Sequence, residues 1–240
     1  MSQSPKESLH QIFRDLHAHR VATMAPAVLQ VNINQRKTLV DTSDPSRYVK
    51  VGDTVEPFGL PEVDGGRVTL SDLVEHGPAV LIFFRFEGCP ACNLALPYYQ
   101  RNLLPGLQAL RARLVTVSPQ VPEKLVQIKR RHSLGFDVAS DVDNGLARRF
   151  GILYTFDEAS RKLALANNRP IGDVTGTGTW ELPMPTAVVI DRSRVVRFVD
   201  VHPDWLIRTE AEPILSAVAS LVPTAKDRPG LAAATVAPVS

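Results

Sequence analysis

The chain has 240 residues, 44% of them apolar, with 27 Lys and Arg against 25 Asp and Glu for a formal net charge of +2. That length buries a core of one α/β domain with extensions, and the ordinary composition argues against a wholly disordered chain. The basic residues are scattered apart from Lys129-Arg130-Arg131, read as a solvated helix face rather than a nucleic-acid patch, and no apolar run is long enough to span a bilayer.

Residues 1–50 read as a helical arm. Leu9, Ile12, Phe13 and Leu16 recur at helical spacing, with Lys6, Glu7, Arg14 and Asp15 off that stripe. His10, His17 and His19 read as solvated histidines rather than metal ligands. Met1 to Arg20 lacks the apolar stretch of a signal peptide, so the expected compartment is the reducing cytoplasm. Turn formers at Asp41-Thr42-Ser43-Asp44-Pro45 end the arm.

From Val51 the pattern changes. Phe58 to Glu62 and Arg67 to Leu70 flank Asp64-Gly65-Gly66, a hairpin signal, and Ser71 is expected to cap a short helix reaching His76. Residues 79–84 (AVLIFF) form a continuous apolar run, as in a strand buried on both faces. A long helix over 94–113 is interrupted by Pro97 and Pro105, and residues 113–117 (RLVTV) form a second buried strand. A helix from Pro122 to His132, a strand from Phe136 to Ala139 and a helix from Asn144 to Phe150 follow. Residues 157–180 read as a helix and then a flexible glycine-rich insertion at 172–178. Thr186 to Ile190 and Val195 to Val199 make an antiparallel pair, and a last helix covers Thr209 to Leu221. Residues 223–240, rich in Ala and Pro, are expected to be a disordered tail, which leaves 51–222 as the folded domain.

The sequence has 2 cysteines, Cys89 and Cys92, in Cys89-Pro90-Ala91-Cys92. A disulfide between them closes too small a loop to matter for stability, so their presence asks for a chemical reason. Cys89 follows a buried strand and opens a helix, where free amides and the macrodipole favour a thiolate. Such placement lowers a thiol pKa from about 8.5 into a range of roughly 3.5–7.5. Cys92, one turn further on, is suited to attack a mixed disulfide or sulfenic acid on Cys89. A zinc site would need two more ligands, and His76, His132 and His202 offer no paired spacing. Arg85 either stabilises the thiolate or orients an oxygen-bearing substrate, or is a surface arginine at a strand end. Pro185 and Thr186, after Met184, enter another buried strand.

Together Val51-Gly52-Asp53, Arg85 with Cys89-Pro90-Ala91-Cys92-Asn93, Ser118-Pro119-Gln120, the run from Trp180 to Thr186, Val189-Ile190-Asp191 and His202-Pro203-Asp204-Trp205 resemble a known family. It is the alkyl hydroperoxide reductase/thiol-specific antioxidant (AhpC/TSA) branch of the thioredoxin superfamily, in its peroxiredoxin-like members. The resemblance covers residues 51–222. It implies an α/β thioredoxin-like fold, with a mixed central sheet, helices on both faces and an N-terminal helical extension. It further implies a cis Pro185 beside the dithiol and a thiol peroxidase in which Cys89 attacks the peroxide and Cys92 resolves it. No cofactor is implied beyond the redox-active Cys89–Cys92 disulfide, which a thioredoxin- or glutathione-type reductant would recycle. Typical members carry a Pro and a Thr where this chain has Ile82 and Phe86, so the peroxide-polarising hydroxyl is missing. Glu87, two residues from Cys89, would raise the thiol pKa if it lay near the sulfur. The alternative expectation is thiol–disulfide exchange with a protein or small-molecule disulfide, and a non-catalytic binding module is a third. Neither nucleic acid nor membrane is an expected partner, and a homodimer is left open.

Overall fold

Strand alternation sets the layers. In the computed structural model, which describes residues 7–222, Val80, Ile82 and Phe84 face one apolar cluster while Ala79, Leu81 and Phe83 face another. A run apolar at every position is what a strand covered on both sides requires. The start of the arm and the tail at 223–240 lie outside the described residues.

The chain opens with helices α1 (Leu9–Thr23) and α2 (Pro26–Thr42), then a hairpin of β1 (Gly59–Pro61) and β2 (Arg67–Thr69) leading into α3 (Leu70–Val74). Strand β3 (Ala79–Phe83) is followed by α4 (Pro90–Asn102), α5 (Leu104–Ala109), β4 (Arg113–Ser118), α6 (Pro122–Arg131) and β5 (Asp137–Ser140). Next come α7 (Gly145–Arg149), β6 (Leu153–Thr155), α8 (Glu158–Ala166), α9 (Ile171–Thr175) and β7 (Glu181–Pro183). Strands β8 (Thr186–Ile190) and β9 (Val196–Val201) and helix α10 (Ala211–Ala219) complete the fold. The central sheet has five strands in the order β5-β4-β3-β8-β9, parallel from β3 to β5 and antiparallel at β8 and β9. Helices α4, α5, α6 and α10 fill one face, α3 and α7 the other. No helix among the described residues is long and apolar enough to cross a membrane.

Several local expectations change. Thr69, not Ser71, caps α3, because its side chain accepts from the Asp72 amide at 3.2 Å, and the helix stops at Val74. The long helix starts earlier, at Pro90, tolerates Pro97 internally and breaks at Leu103, with Pro105 in the first turn of α5. The glycine run is packed rather than a flexible insertion. Gly176, at φ +82, closes α9, and a Cβ on Gly172 would come within 2.6 Å of the Gly178 backbone. Lys129 leaves the expected solvated face, held between Glu62 at 2.7 Å and Asp64 at 2.6 Å.

The arm is part of the core. Leu9, Phe13 and Leu39 belong to the same apolar cluster as Cys89 and Cys92. Glu210 fastens α1 by accepting from Ser8 Oγ (2.9 Å), the Leu9 amide (3.1 Å), the His10 amide (2.9 Å) and Tyr98 Oη (2.6 Å). These are the amides that a helix start leaves without partners.

Candidate active site

Cys89 is the residue before the first turn of α4, with Pro90 just inside it, so strand β3 delivers the sulfur to a helix N-terminus. The intervening loop is braced at each residue that matters. Ser118 Oγ donates to the Arg85 carbonyl (2.9 Å), Gln120 Oε1 accepts from the Glu87 amide (2.7 Å), and Asn93 Nδ2 donates to the carbonyls of Glu87 (2.6 Å) and Cys89 (3.0 Å). Asn93 is fixed in turn by Arg131 and His132, at 2.9 and 2.8 Å. The Glu87 carboxylate pairs with Arg131, which neutralises it.

Both cysteines are free thiols, Cys89 being 1% exposed and Cys92 fully buried. The Cys89 thiol is lowered to about 5. The Cys92 thiol beside it contributes most, against the cost of burial; Arg85, Arg208 and the Cys92 amide add to the lowering. Burial and the neighbouring Cys89 sulfur hold the Cys92 thiol well above the ordinary range. One thiolate and one thiol therefore share the site near neutral pH, as nucleophilic attack and later resolution require.

Arg85 is no surface residue. It is 8% exposed, lies beside the sulfur of Cys89, and stacks on Trp205 with its guanidinium carbon 4.8 Å from the ring centre. Burial opposes its charge, but Tyr154 and the two sulfurs outweigh that and raise its pKa. Arg208 is a second buried cation, with Nη2 3.9 Å from Cys92 Sγ and Nη1 donating to the Ile207 carbonyl at 2.8 Å. Sequence reasoning missed Arg208; its place three residues beyond the matching His202–Trp205 segment was the available signal. Gln35 was missed as well. Its Oε1 accepts from Trp205 Nε1 at 3.0 Å, which links helix α2 to the ring beneath Arg85.

Pro185 and Thr186 sit at the same end of the sheet, Thr186 being paired with Phe83. Pro185 is trans, against the expected cis bond, since no described peptide bond is cis. The Met184 amide donates to Ile152 O (2.7 Å) and the His202 amide to Pro185 O (2.9 Å), so both flanks run extended in strand ladders. Thr186 Oγ1 is spent locally on the Met184 carbonyl at 2.9 Å.

The AhpC/TSA family model matches residues 51–199, more than half of the chain, including the dithiol and the central sheet. The chain belongs to the AhpC/TSA family. This member is similar to peroxiredoxin Bcp of Escherichia coli (strain K12), 31% identical over 110 residues, which cover 43% of this chain and 65% of that protein. The chain thus spans just under two thirds of that relative's length. Among solved structures, Peroxidoxin BcpB from Mycobacterium tuberculosis superposes with a TM-score of 0.57 at 23% identity, over 72% of this chain and 99% of that one. A peroxiredoxin-like protein from Aquifex aeolicus gives 0.57 at 14% identity, over 73% and 89%. These two likenesses establish the thioredoxin-like fold that this AhpC/TSA member shares with them.

Proposed function

We propose that this AhpC/TSA protein is a thiol peroxidase that reduces hydroperoxides at Cys89 and resolves the product with Cys92. The observation that carries the reading is the pairing of a thiol lowered to about 5 with a buried arginine beside it, in a site closed to large molecules. The Cys89 thiolate attacks one oxygen of the peroxide bond, and its electron pair forms the S–O bond as the O–O bond breaks. The leaving oxygen takes the electron pair and a proton, departing as water or an alcohol, and Cys89 becomes a sulfenic acid. Cys92 then attacks that sulfur, releasing water and forming the Cys89–Cys92 disulfide. Arg85 stabilises the negative charge passed across the O–O bond.

A thioredoxin- or glutathione-type thiol in a reducing compartment such as the cytoplasm returns the disulfide to two thiols. The near-complete burial of Cys89 favours a small oxidant over a folded disulfide partner. Reduced protein mixed with hydrogen peroxide tests the reading. The Cys89→Ser variant is expected to lose the reaction, and Cys92→Ser to stop at a sulfenic acid that dimedone captures. Oxidation of the native protein no faster than that of free cysteine rejects it.

A further inference from the structure

A pocket of about 530 Å³ opens between α2, α8 and α9. Phe156, Leu163 and Ile171 supply apolar wall, and Arg85 and Gln35 also line it. Both polar side chains are more than nine-tenths buried, and each carries a buried N–H without a protein partner: Nε of Arg85 and Nε2 of Gln35. Unpaired buried donors are costly, so two on residues lining one pocket point to an oxygen-bearing ligand at that wall.

The orientation of Gln35 is fixed. Because Trp205 Nε1 donates to its Oε1, the amide must turn its NH₂ away from the indole. Trp205 is also the ring on which Arg85 stacks, so one aromatic side chain aligns both donors. Phe86, which lies under Arg85 with 5.4 Å between the guanidinium carbon and the ring centre, offers no hydroxyl at that point of the loop.

We propose that Gln35, delivered by the N-terminal arm, is a catalytic residue that donates a hydrogen bond from Nε2 to the peroxide bound beside Arg85. The proposal rests on the peroxidase reading above. The arm thereby supplies the neutral donor that the loop before Cys89 lacks. The donor acts on the oxygen that gains charge as the O–O bond breaks, and it needs no reorganisation when the reaction occurs. The pocket's apolar wall accommodates the organic part of a hydroperoxide, while hydrogen peroxide needs only the two donors.

The test compares two reactions of the same sulfur in the full-length reduced protein: oxidation by hydrogen peroxide and alkylation by iodoacetamide, each followed by mass spectrometry. Gln35→Met removes the donor at nearly constant volume. It is expected to slow peroxide oxidation by roughly ten- to a hundredfold while leaving alkylation and its pH midpoint unchanged. Gln35→Asn keeps the amide but withdraws it by one methylene, and the same selective loss is expected to a smaller extent. Trp205→Phe keeps a ring under Arg85 and frees the amide. A role confined to holding Trp205 makes Gln35→Met and Trp205→Phe equivalent, with both reactions slowed together. That result, or an unchanged peroxide rate in both Gln35 variants, overturns the proposal. A native protein inert to peroxide overturns the peroxidase reading and this proposal with it, and is distinguished by being seen before any substitution is made.

Discussion

Arg208 Nη2 lies 3.9 Å from Cys92 Sγ, across 116 residues of chain. The contact places a second fixed positive charge beside the dithiol, and with Arg85 it favours ionisation of Cys89. Replacing either by a neutral side chain of similar length, Arg85→Met or Arg208→Met, is expected to move the Cys89 titration up from about 5. A displacement of about one pH unit or more per substitution is expected. Absorbance of the thiolate at 240 nm, followed against pH, measures it directly.

The same ionisation links stability to pH. In the unfolded chain the Cys89 thiol titrates near the usual ~8.5, whereas in the fold it is lowered to about 5. A depressed acid contributes stability that is complete above the unfolded value and gone below the folded one. Reduced protein should therefore become more stable as pH rises from about 5 towards the ordinary thiol range. Cys92, held protonated by burial, subtracts only above that range. The urea midpoint of the native protein, measured relative to Cys89→Ser, should rise from the acid end of this window to its neutral end. Parallel curves would contradict the assignment.

Glu210 joins four donors from the arm and α4, so Glu210→Ala strands the Tyr98 hydroxyl and the first amides of α1. A loss of about 2 kcal/mol in denaturant stability is expected. Hydrogen exchange should show it concentrated in α1.

Gly151 is a backbone requirement of the junction between arm and domain. It has φ +68, and a Cβ there would stand 2.0 Å from the Arg47 carbonyl oxygen. Gly151→Ala is expected to cost about 2 kcal/mol or more, read as a lowered melting temperature. The 1% exposure of Cys89 should change little if the damage stays local.

The address of the dithiol was legible because its signals are local: an apolar run, then Cys-Pro, then a helix. The paired apolar faces of β3 follow equally from its sequence. Arg85 could not be placed from sequence, since the ring that buries it, Trp205, arrives from the far end of the chain. Arg208 and Gln35 escaped for the same reason, and their contacts with the site exist only after α2 and the segment after β9 have packed. Strands β6 and β7 span three residues each, too short to show a period, and they pair across the segment that looked like an insertion. The choice between Thr69 and Ser71 as cap rested on where the hairpin strand ends, a matter of two residues. Pro185 was expected cis by family likeness, whereas the ladders on both sides of it keep the backbone extended.

In the proposed peroxidase cycle, the burial of Cys89 sets different conditions for oxidation and for recovery. A peroxide has few enough atoms to reach a sulfur that is 1% exposed. A protein dithiol is too large to follow it into the closed site. Oxidation in that cycle would be set by arrival of the oxidant, and recovery by exposure of the disulfide to its reductant. A peroxidase with its sulfur buried in this way would be quick to oxidise and slow to recover, and each burst of oxidant would leave a long-lived disulfide behind it.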